Sequence, residues 1–376
     1  MAYLTQMTPF TFLTPSRMHC GPGSATDGTL ATEARKQGKR PLIVHGGSLR
    51  RSGALEAILA TLPEATTYEV PSREPTVEDA DAAMAAAKEA NADMILAIGG
   101  GSALDVGKTA ALAPLNRTTR EFLSGQASAT DPRALPILAV PTTAGTGSEA
   151  TVSVVFTDPD AVKKASFRGE SLLPKTVILD AELLKTCPLD VMAHSSMDAL
   201  VQAIESYMSI GANLYTRPLA AQAAESIYQA IRGFSSVTTS DDLTELLMGS
   251  YMAGVALNTS RLGLVHGLAH PIGAHTGAAH GLLCGLLMPH VLSFNVPNGG
   301  GIDGLTRYTS KGMEDYSRLF TDVLEIVDSP TKLSELGVKE SDLPAIAAES
   351  MPSGSTKANP RPVSEADALA VLQAAF

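Results

Sequence analysis

The first half of the chain alternates short apolar runs with Ala-rich segments of helical period. The strand-like runs are LIVHG (42–46), TTYEV (66–70), MILAI (94–98) and LPILAVP (135–141). SGALEAILATL and VEDADAAMAAAKEANA lie between them and are typical of helices, and Thr76 with Asp79 predicts a capping box at the start of the second one. Strands alternating with helices predict a parallel sheet covered on both faces.

After about residue 182 the pattern changes to long helical repeats with almost no strand signal. These repeats are LDVMAHSSMDALVQAIESYMS, PLAAQAAESIYQAIRGF and DLTELLMGSYMAGVALN. We therefore expect an α/β domain over residues 1–182 and an all-helical domain over residues 183–376. The Gly-rich stretch 296–304 is predicted to be a loop.

The composition is ordinary for an α/β enzyme, and the net charge argues against several kinds of partner. The chain has 376 residues, is 44% hydrophobic and carries a formal net charge of -11, which argues against nucleic acid or an anionic membrane as the main partner. Its three cysteines are widely and irregularly spaced, which fits neither a disulfide framework nor a CxxC metal site. No leader or membrane-spanning run is evident, so we expect a cytoplasmic protein.

A triple-glycine turn follows the third predicted strand. In AIGGGSALDVGK (97–108) the glycines stand between a buried strand and a helix, where backbone N–H groups can approach a phosphate closely. The next strand ends in PTTAGTGSEAT (141–151), which offers hydroxyls and amides beside the first turn. Two such loops at one sheet edge favour a dinucleotide over a pair of empty turns.

Four histidines cluster within GLVHGLAHPIGAHTGAAHG (263–281), although the whole chain has eight. They are His266, His270, His275 and His280. Such a cluster favours a metal or catalytic role over four separately buried core imidazoles.

Taken in order and spacing, GGGSALDVGK, PTTAGTGSE, the MDAL helix and VHGLAHPIGAHTGAAHG resemble the iron-containing (group III) alcohol dehydrogenase family. The resemblance runs from about residue 10 to the C terminus. It implies a Rossmann-like N-terminal domain that binds NAD(P), a helical C-terminal domain, and a divalent metal, Fe²⁺ or Zn²⁺, in the cleft between them. Dehydroquinate synthase shares this two-domain plan.

The resemblance also assigns residues by matched position. Those expected at the coenzyme are Gly99, Gly100, Gly101, Ser102, Asp105, Thr142, Thr143, Thr146 and Lys164, with Lys108 on the same helix as Asp105. Metal ligands would be Asp198, His266 and His280, and His270 would lie beside the reacting alcohol. The family's remaining ligand, a histidine four residues after the aspartate, is Gln202 here.

Gln202 leaves three interpretations open. Asp198 and two neutral imidazoles still supply three good donors, so a weakly held metal with Gln202 as a poor fourth ligand is the favoured one. His275 could substitute for the missing imidazole, or the enzyme could polarise a carbonyl without metal, as a reductase of the maleylacetate-reductase type. A plain amphipathic helix over 198–207 is disfavoured by the histidine cluster.

The second strand bears on the choice of coenzyme. NAD enzymes usually carry a carboxylate at the end of this strand, which accepts from a ribose hydroxyl. Gly46, Gly47 and Ser48 stand there instead, with Arg50 and Arg51 close behind. NADP(H) is therefore favoured over NAD(H), although a solvated helix start would show the same arginines.

The predicted reaction is hydride transfer between a nicotinamide and a small aldehyde or alcohol. Arg261 and His275 are predicted substrate contacts, which would suit an anionic aldehyde such as a phosphonate or carboxylate, as in phosphonoacetaldehyde-type reductases. Arg261 on the surface or at a subunit contact is the alternative. Rivals are a dehydroquinate synthase-like lyase and an inactive nucleotide-binding protein, and the family tendency suggests a homodimer.

Overall fold

The computed structural model describes residues 9–159, 163–234, 239–296 and 302–376. In the first part of the chain the strands are β1 Arg17–Cys20, β2 Pro41–Gly46, β3 Thr66–Val70, β4 Met94–Gly99, β5 Ile137–Pro141, β6 Ser153–Asp158, β7 Lys163–Arg168 and β8 Thr176–Leu179. The helices among them are α1 Thr29–Gln37, α2 Gly47–Arg51, α3 Ala54–Thr61, α4 Val77–Glu89, α5 Gly101–Ala110 and α6 Thr119–Leu123.

The second part of the described chain is helical, as predicted. Its helices are α7 Leu189–Met208, α8 Thr216–Ile231, α9 Ser240–Ser260, α10 Leu264–Thr276, α11 His280–Asn295, α12 Ile302–Thr309, α13 Met313–Ile326, α14 Leu343–Ser350, α15 Gly354–Ala358 and α16 Glu365–Ala374. Most of the predicted 296–304 loop lies outside the described residues, but its end, 302–304, is helical because Ile302 and Leu305 are buried on one face of α12.

Six strands form one parallel sheet in the order β1-β8-β5-β4-β2-β3. This confirms the α/β class, and β2 to β5 match the predicted strands closely. Strand order reverses between β2 and β4, which are neighbours, so a crevice opens at their carboxyl ends where such sheets bind ligands. The Thr76 side chain accepts a hydrogen bond from the Asp79 amide, and the Asp79 side chain accepts one from the Thr76 amide. This confirms the predicted capping box.

Two strands that the sequence pattern did not indicate form a separate antiparallel hairpin. β6 and β7 pair from Ser153 with Arg168 to Asp158 with Lys163. The hairpin contacts α5 on one side and α10 on the other. It therefore brings Lys164 from the α/β part of the chain towards the helix that carries His266 and His270.

The long helix α7 is the centre of the helical part. Fourteen of its twenty residues are buried, including Asp198, Gln202 and Glu205, and it packs against α8, α9 and α11. Polar groups at the core of a helix bundle need partners or a bound ligand. Among the described residues, no helix is long and apolar enough to span a bilayer.

Two glycines let α11 lie very close to α7. A Cβ at Gly281 would collide with the carbonyl oxygen of His194, and one at Gly285 would lie 2.5 Å from the sulfur of Met197. Glycines spaced by four residues on one helix face allow such a close backbone approach. As a result, side chains at positions 280 and 284 reach Asp198 on the facing helix.

Candidate active site

Three loops meet at the carboxyl edge of the sheet. His45 pairs with Ile98, so Gly46 at the end of β2 lies beside Gly99 at the end of β4, and Gly99 pairs with Pro141 of β5. The amide of Thr142 donates to the carbonyl of Gly99 over 3.0 Å. The predicted glycine turn and threonine loop are thus neighbours.

The glycine turn has no room for side chains. Gly99 has a φ of +153°, where an added Cβ would lie 2.6 Å from the Cβ of Ala103. A Cβ at Gly101 would lie 2.6 Å from Cγ2 of Thr146. Because α5 begins at Gly101 with Ser102 second and the turn before it carries no side chains, its free N-terminal amides are suited to a pyrophosphate. Thr143 is half-buried and Thr146 exposed at this surface.

The Gly46–Ser48 turn has an acidic neighbour that the sequence pattern did not reveal. Glu69 on β3 pairs in register with His45, and its Oε1 would lie 3.1 Å from a Cβ at Gly47. Its other oxygen accepts from Nε of Arg50 over 2.9 Å. The turn therefore carries a carboxylate contributed by the next strand, with its charge balanced by an arginine. The parallel register of β2 and β3 was the signal that could have found it.

Asp105 and Lys108 belong to a buried polar cluster behind the glycine turn. The Asp105 carboxylate accepts from the Ser148 hydroxyl and from the amide of Val155, and its contact with a coenzyme stays a prediction. Nζ of Lys108 donates to the Ser148 carbonyl over 2.9 Å and to the Ser153 carbonyl over 2.6 Å. Burial lowers the pKa of Lys108 to about 8.

Glu149 lies in the same cluster and is 1% exposed. Its Oε1 has no hydrogen-bond partner among the described residues. Burial raises the pKa of Glu149 to about 7, although the charge of Lys108 opposes the shift. The wall of the threonine loop therefore holds an acid that is costly to ionise.

Four metal-ligating side chains converge between α7, α10 and α11. Each of Asp198, His266, His280 and Cys284 offers one ligand atom, and these atoms all lie within 4.8 Å of one another. Oδ1 of Asp198 is 3.2 Å from Nε2 of His266 and 3.8 Å from Nε2 of His280. The structure thus brings together the three ligands predicted by resemblance, and adds Cys284, which the sequence analysis left without a role.

Glu205 is a second residue that the sequence analysis missed. Its Oε2 accepts from Nδ1 of His266 over 2.7 Å, and the two oxygens also accept from the amides of Gly263 and Val265. This leaves Nε2 of His266 turned towards Asp198, as expected for a ligating imidazole held by a carboxylate. The signal was its place one turn beyond Gln202 on the face of α7 that starts with Asp198.

Gln202 connects the two halves of the site. Its Nε2 donates to the carbonyl of Thr146 over 3.4 Å. Its Oε1 is buried and has no hydrogen-bond partner in the described part of the chain. A buried amide oxygen without a partner is costly, and it is consistent with a bound group that the protein would hold nearby.

The charges of the cluster suit a cation. Burial opposes ionisation of Asp198, but His280 and His266 outweigh it and lower the pKa of Asp198 to about 2. Burial also opposes the charged form of His266, yet hydrogen bonds to Asp198 and Glu205 raise the pKa of His266 to about 9. Burial lowers the pKa of His280 to about 4, so that this imidazole is neutral and able to ligate.

His270 adjoins the cluster without being one of its four members. Its ring stacks on that of His280 with the centroids 5.2 Å apart. Burial, followed by the neighbouring imidazoles, lowers the pKa of His270 well below its ordinary value. The positive charge of Lys164 adds to this lowering, and Nζ of Lys164 pairs with Glu74 over 3.2 Å. His270 is therefore a neutral imidazole beside the ligand set.

The structure does not bring Arg261 and His275 together. Arg261 follows α9 with a φ of +66°, is exposed and lies near Arg168. His275 is in the last turn of α10, where its Nε2 is 3.1 Å from Glu349. Eleven residues of α10, 264–274, lie between them along the chain, a rise of about 17 Å. Their described neighbours differ, Arg168 for Arg261 and Glu349 for His275, so the structure gives no support for one substrate bound by both.

The comparisons with known proteins agree with this geometry over nearly the whole chain. The sequence model of the iron-containing alcohol dehydrogenases matches residues 15–181, and that of the C-terminal part of the Fe-containing alcohol dehydrogenase family matches residues 192–376. Lactaldehyde reductase of Escherichia coli is 30% identical over 374 residues, covering 94% of this chain and 97% of its own. The chain belongs to the iron-containing alcohol dehydrogenase family.

Other members of the family are similarly related. The 1,3-propanediol dehydrogenase of Klebsiella pneumoniae is 32% identical over 364 residues, covering 90% of this chain and 92% of its own. The structure of an alcohol dehydrogenase from Oenococcus oeni superimposes with a TM-score of 0.90 at 27% identity, over 98% of this chain and all of that one. As a member of this family, the protein is an oxidoreductase acting on alcohols or aldehydes.

Proposed function

We propose that this iron-containing alcohol dehydrogenase reduces small aldehydes with a nicotinamide coenzyme, and oxidises the corresponding alcohols in reverse. The hydrogen bond from Gln202 to the carbonyl of Thr146 carries the proposal. Through it the predicted coenzyme loop directly contacts the helix that presents Asp198. Hydride transfer needs donor and carbonyl at one place, and this contact joins the two surfaces.

Asp198, His266 and His280 would hold a divalent metal, since their donor atoms lie within 4.8 Å of one another and the side chains are largely buried. Such an ion would polarise a carbonyl oxygen and stabilise the developing alkoxide. Glu205 would hold the proton on Nδ1 of His266, while a bound ion would displace the proton from Nε2 to solvent. The retained alternative is a metal-independent reductase, in which hydrogen bonds from the same imidazoles polarise the carbonyl.

His270 would hold the proton that the alkoxide takes up. Its neutral ring can donate from one nitrogen and be reprotonated by solvent at the other. Because this ring stacks on His280, it is fixed beside the carbonyl that the ligand cluster would hold. We propose His270 as the catalytic acid or base, and Lys164 as a neighbouring cation towards the coenzyme.

NADP(H) is the proposed coenzyme. Gly46, Gly47 and Ser48 leave the end of β2 without an acid, and Arg50 and Arg51 lie on the short helix that follows. Glu69 is the carboxylate nearest this turn, and its pairing with Arg50 limits its repulsion of a 2′-phosphate. NAD(H) is the alternative that a comparison of the two coenzymes tests.

A short-chain aldehyde is the proposed substrate class. Two of the relatives are named for lactaldehyde and 1,3-propanediol, which are small and uncharged. The expectation of an anionic aldehyde rested on Arg261 and His275, and their separation along α10 removes that support. We also propose that the domain boundary lies at 182/183. A homodimer is the proposed oligomer, and light scattering of the purified protein tests its mass.

One experiment tests the assignment as a whole. Metal content of the purified protein is measured beside reductase rates with NADPH and NADH, on lactaldehyde and on a carboxylated aldehyde. We expect metal-dependent oxidation of NADPH with the neutral aldehyde. Full activity after complete chelation would favour the metal-independent alternative, and the absence of turnover with every divalent metal would overturn the proposal.

A further inference from the structure

Cys284 occupies a place that mirrors the missing histidine. On α7 the family's imidazole would stand one turn after Asp198, and the chain has Gln202 there. On α11 Cys284 stands one turn after His280, so both side chains leave the same face towards α7. The donor lost from one helix is matched by a new donor on the helix that faces it.

Three of the distances among these atoms fit four protein ligands around one ion, which would expand to five-coordinate when a carbonyl oxygen binds. Zinc bonds of about 2.0–2.1 Å to nitrogen or oxygen and about 2.3 Å to sulfur give tetrahedral edges of about 3.3 Å between N and O and about 3.6 Å between N and S. The edges here are 3.2 Å from Asp198 to His266, 3.8 Å from Asp198 to His280, and 3.6 Å from Sγ of Cys284 to Nε2 of His280.

The surroundings of Cys284 hold it in this place. The residue is fully buried, and Gly285 after it lets α11 approach Met197, the neighbour of Asp198. Cys20 and Cys187 belong to other parts of the fold and are not members of the cluster. A buried thiol among two imidazoles and a carboxylate has the donor set of a soft-metal site.

We propose that the thiolate of Cys284 is the fourth protein ligand of the metal and replaces the imidazole absent at position 202. The inference rests on the proposed metal site. As the sulfur–metal bond forms, the thiol proton leaves to solvent, and no oxidation or reduction is involved. Asp198 and Cys284 together neutralise a divalent ion, and sulfur makes Zn²⁺ a better occupant than Fe²⁺. Gln202 is then a link to Thr146 and not a ligand.

Cobalt substitution tests this assignment directly. The double variant Cys20→Ser/Cys187→Ser retains Cys284 as its single thiol, and its metal-free form is titrated with Co²⁺ alone. We expect an intense near-ultraviolet thiolate-to-cobalt band at one equivalent. Adding Cys284→Ser should remove the band and weaken Co²⁺ binding at least about tenfold. Loss of a residue that only hydrogen-bonds to a metal ligand already weakens binding by about this factor. Gln202→Ala is the matched control and should keep the band.

X-ray absorption of the zinc-loaded wild-type protein measures the ligand atoms of the metal directly and needs no variant. We expect one sulfur scatterer at about 2.3 Å. Its absence, or a cobalt band that survives Cys284→Ser or disappears in Gln202→Ala, would overturn the inference. These spectra do not depend on turnover. A sulfur ligand in a protein without reductase activity would refute the proposed function alone, whereas metal-dependent activity without a sulfur ligand would refute this inference alone.

Discussion

Glu205 accepts a hydrogen bond from Nδ1 of His266 over 2.7 Å, and both residues are almost fully buried. The same carboxylate receives the amides of Gly263 and Val265 at the start of α10. One side chain of α7 therefore fixes both the position of α10 and the orientation of its first histidine ring. This relationship makes the ligand cluster a preformed site.

Replacing Glu205 with Gln should weaken metal binding about 10- to 100-fold, because an amide orients the His266 ring less strongly and removes a negative charge near the ion. Competition with a chromophoric chelator measures the change. Glu349→Gln, which alters the exposed partner of His275, is the matched control and should leave affinity unchanged. Equal affinities for wild type and Glu205→Gln would show that the carboxylate serves the fold alone.

Gln202→His should slow the loss of metal to a chelator about tenfold or more, since it would add an imidazole donor to a borderline-soft ion one helical turn after Asp198. The measurement is metal remaining against time at fixed chelator concentration. Gln222→His, on α8, is the control for an added surface imidazole. Unchanged retention would remove position 202 from the surroundings of the metal.

His270→Asn should lower kcat about 10²- to 10⁴-fold while metal content stays the same, because a positioned acid or base contributes a factor of this size. Steady-state kinetics and metal analysis on the same preparation check both parts. The corresponding change at His290, a half-buried residue farther along α11, should leave kcat near the wild-type value. Loss of metal from His270→Asn would instead mark His270 as a ligand.

Glu69→Gln should raise the ratio of kcat/KM for NADPH to that for NADH, since it removes the negative charge beside Gly47. Arg51→Ala should lower this ratio, because a 2′-phosphate would lose a nearby cation. Rates with both coenzymes at one aldehyde concentration provide the test. A ratio that neither variant moves would show that the 2′ position of the ribose lies elsewhere.

The pKa of Glu149 predicts a specific pH dependence of stability. This pKa is about 7 in the folded protein and 4.5 as its ordinary value. Between these values the folded state holds a proton that the unfolded state has lost, so the contribution of Glu149 to stability is full below about pH 4.5 and is lost as the pH rises through 7.

Glu149→Gln should therefore be more stable than wild type by roughly 2–3 kcal/mol at pH 8, and the difference should shrink towards pH 5. Urea unfolding at the two pH values measures it. Glu170→Gln, beyond the buried cluster, serves as the control. A difference that grows as the pH falls would contradict the burial of an unpartnered carboxyl.

Local periodicity was sufficient to predict most of the sheet. Strands β2, β4 and β5 are nearly continuous apolar runs because both of their faces are covered, whereas β3 lies at the edge of the sheet and is mostly exposed. Thr76 and Asp79 mark the start of α4. The β6–β7 hairpin gave no such signal, because half of its side chains are only partly buried and its pairing depends on contacts with α5 and α10.

The ligand cluster was predictable only where the motif carried it. Asp198, His266 and His280 were found by resemblance and lie together in the structure. Glu205 and Cys284 were missed because their roles depend on which helices face each other, and spacing along one helix cannot show that. Arg261 and His275 were grouped as groups that suit an anion, but Arg261 precedes α10 and His275 lies in its last turn.

If Thr146 borders the coenzyme, as we propose, its hydrogen bond with Gln202 would link the coenzyme loop to α7, the helix that presents Asp198. If nucleotide binding moves the threonine loop towards or away from α7, the hydrogen bond would shift the helix that carries Asp198. The affinity for the ion would then change. Reciprocity then requires the ion to change nucleotide affinity by an equal factor. The coupling free energy between ion and nucleotide would decide whether the first ligand strengthens or weakens binding of the second. Its sign would also set which ligand the enzyme binds first in the cell.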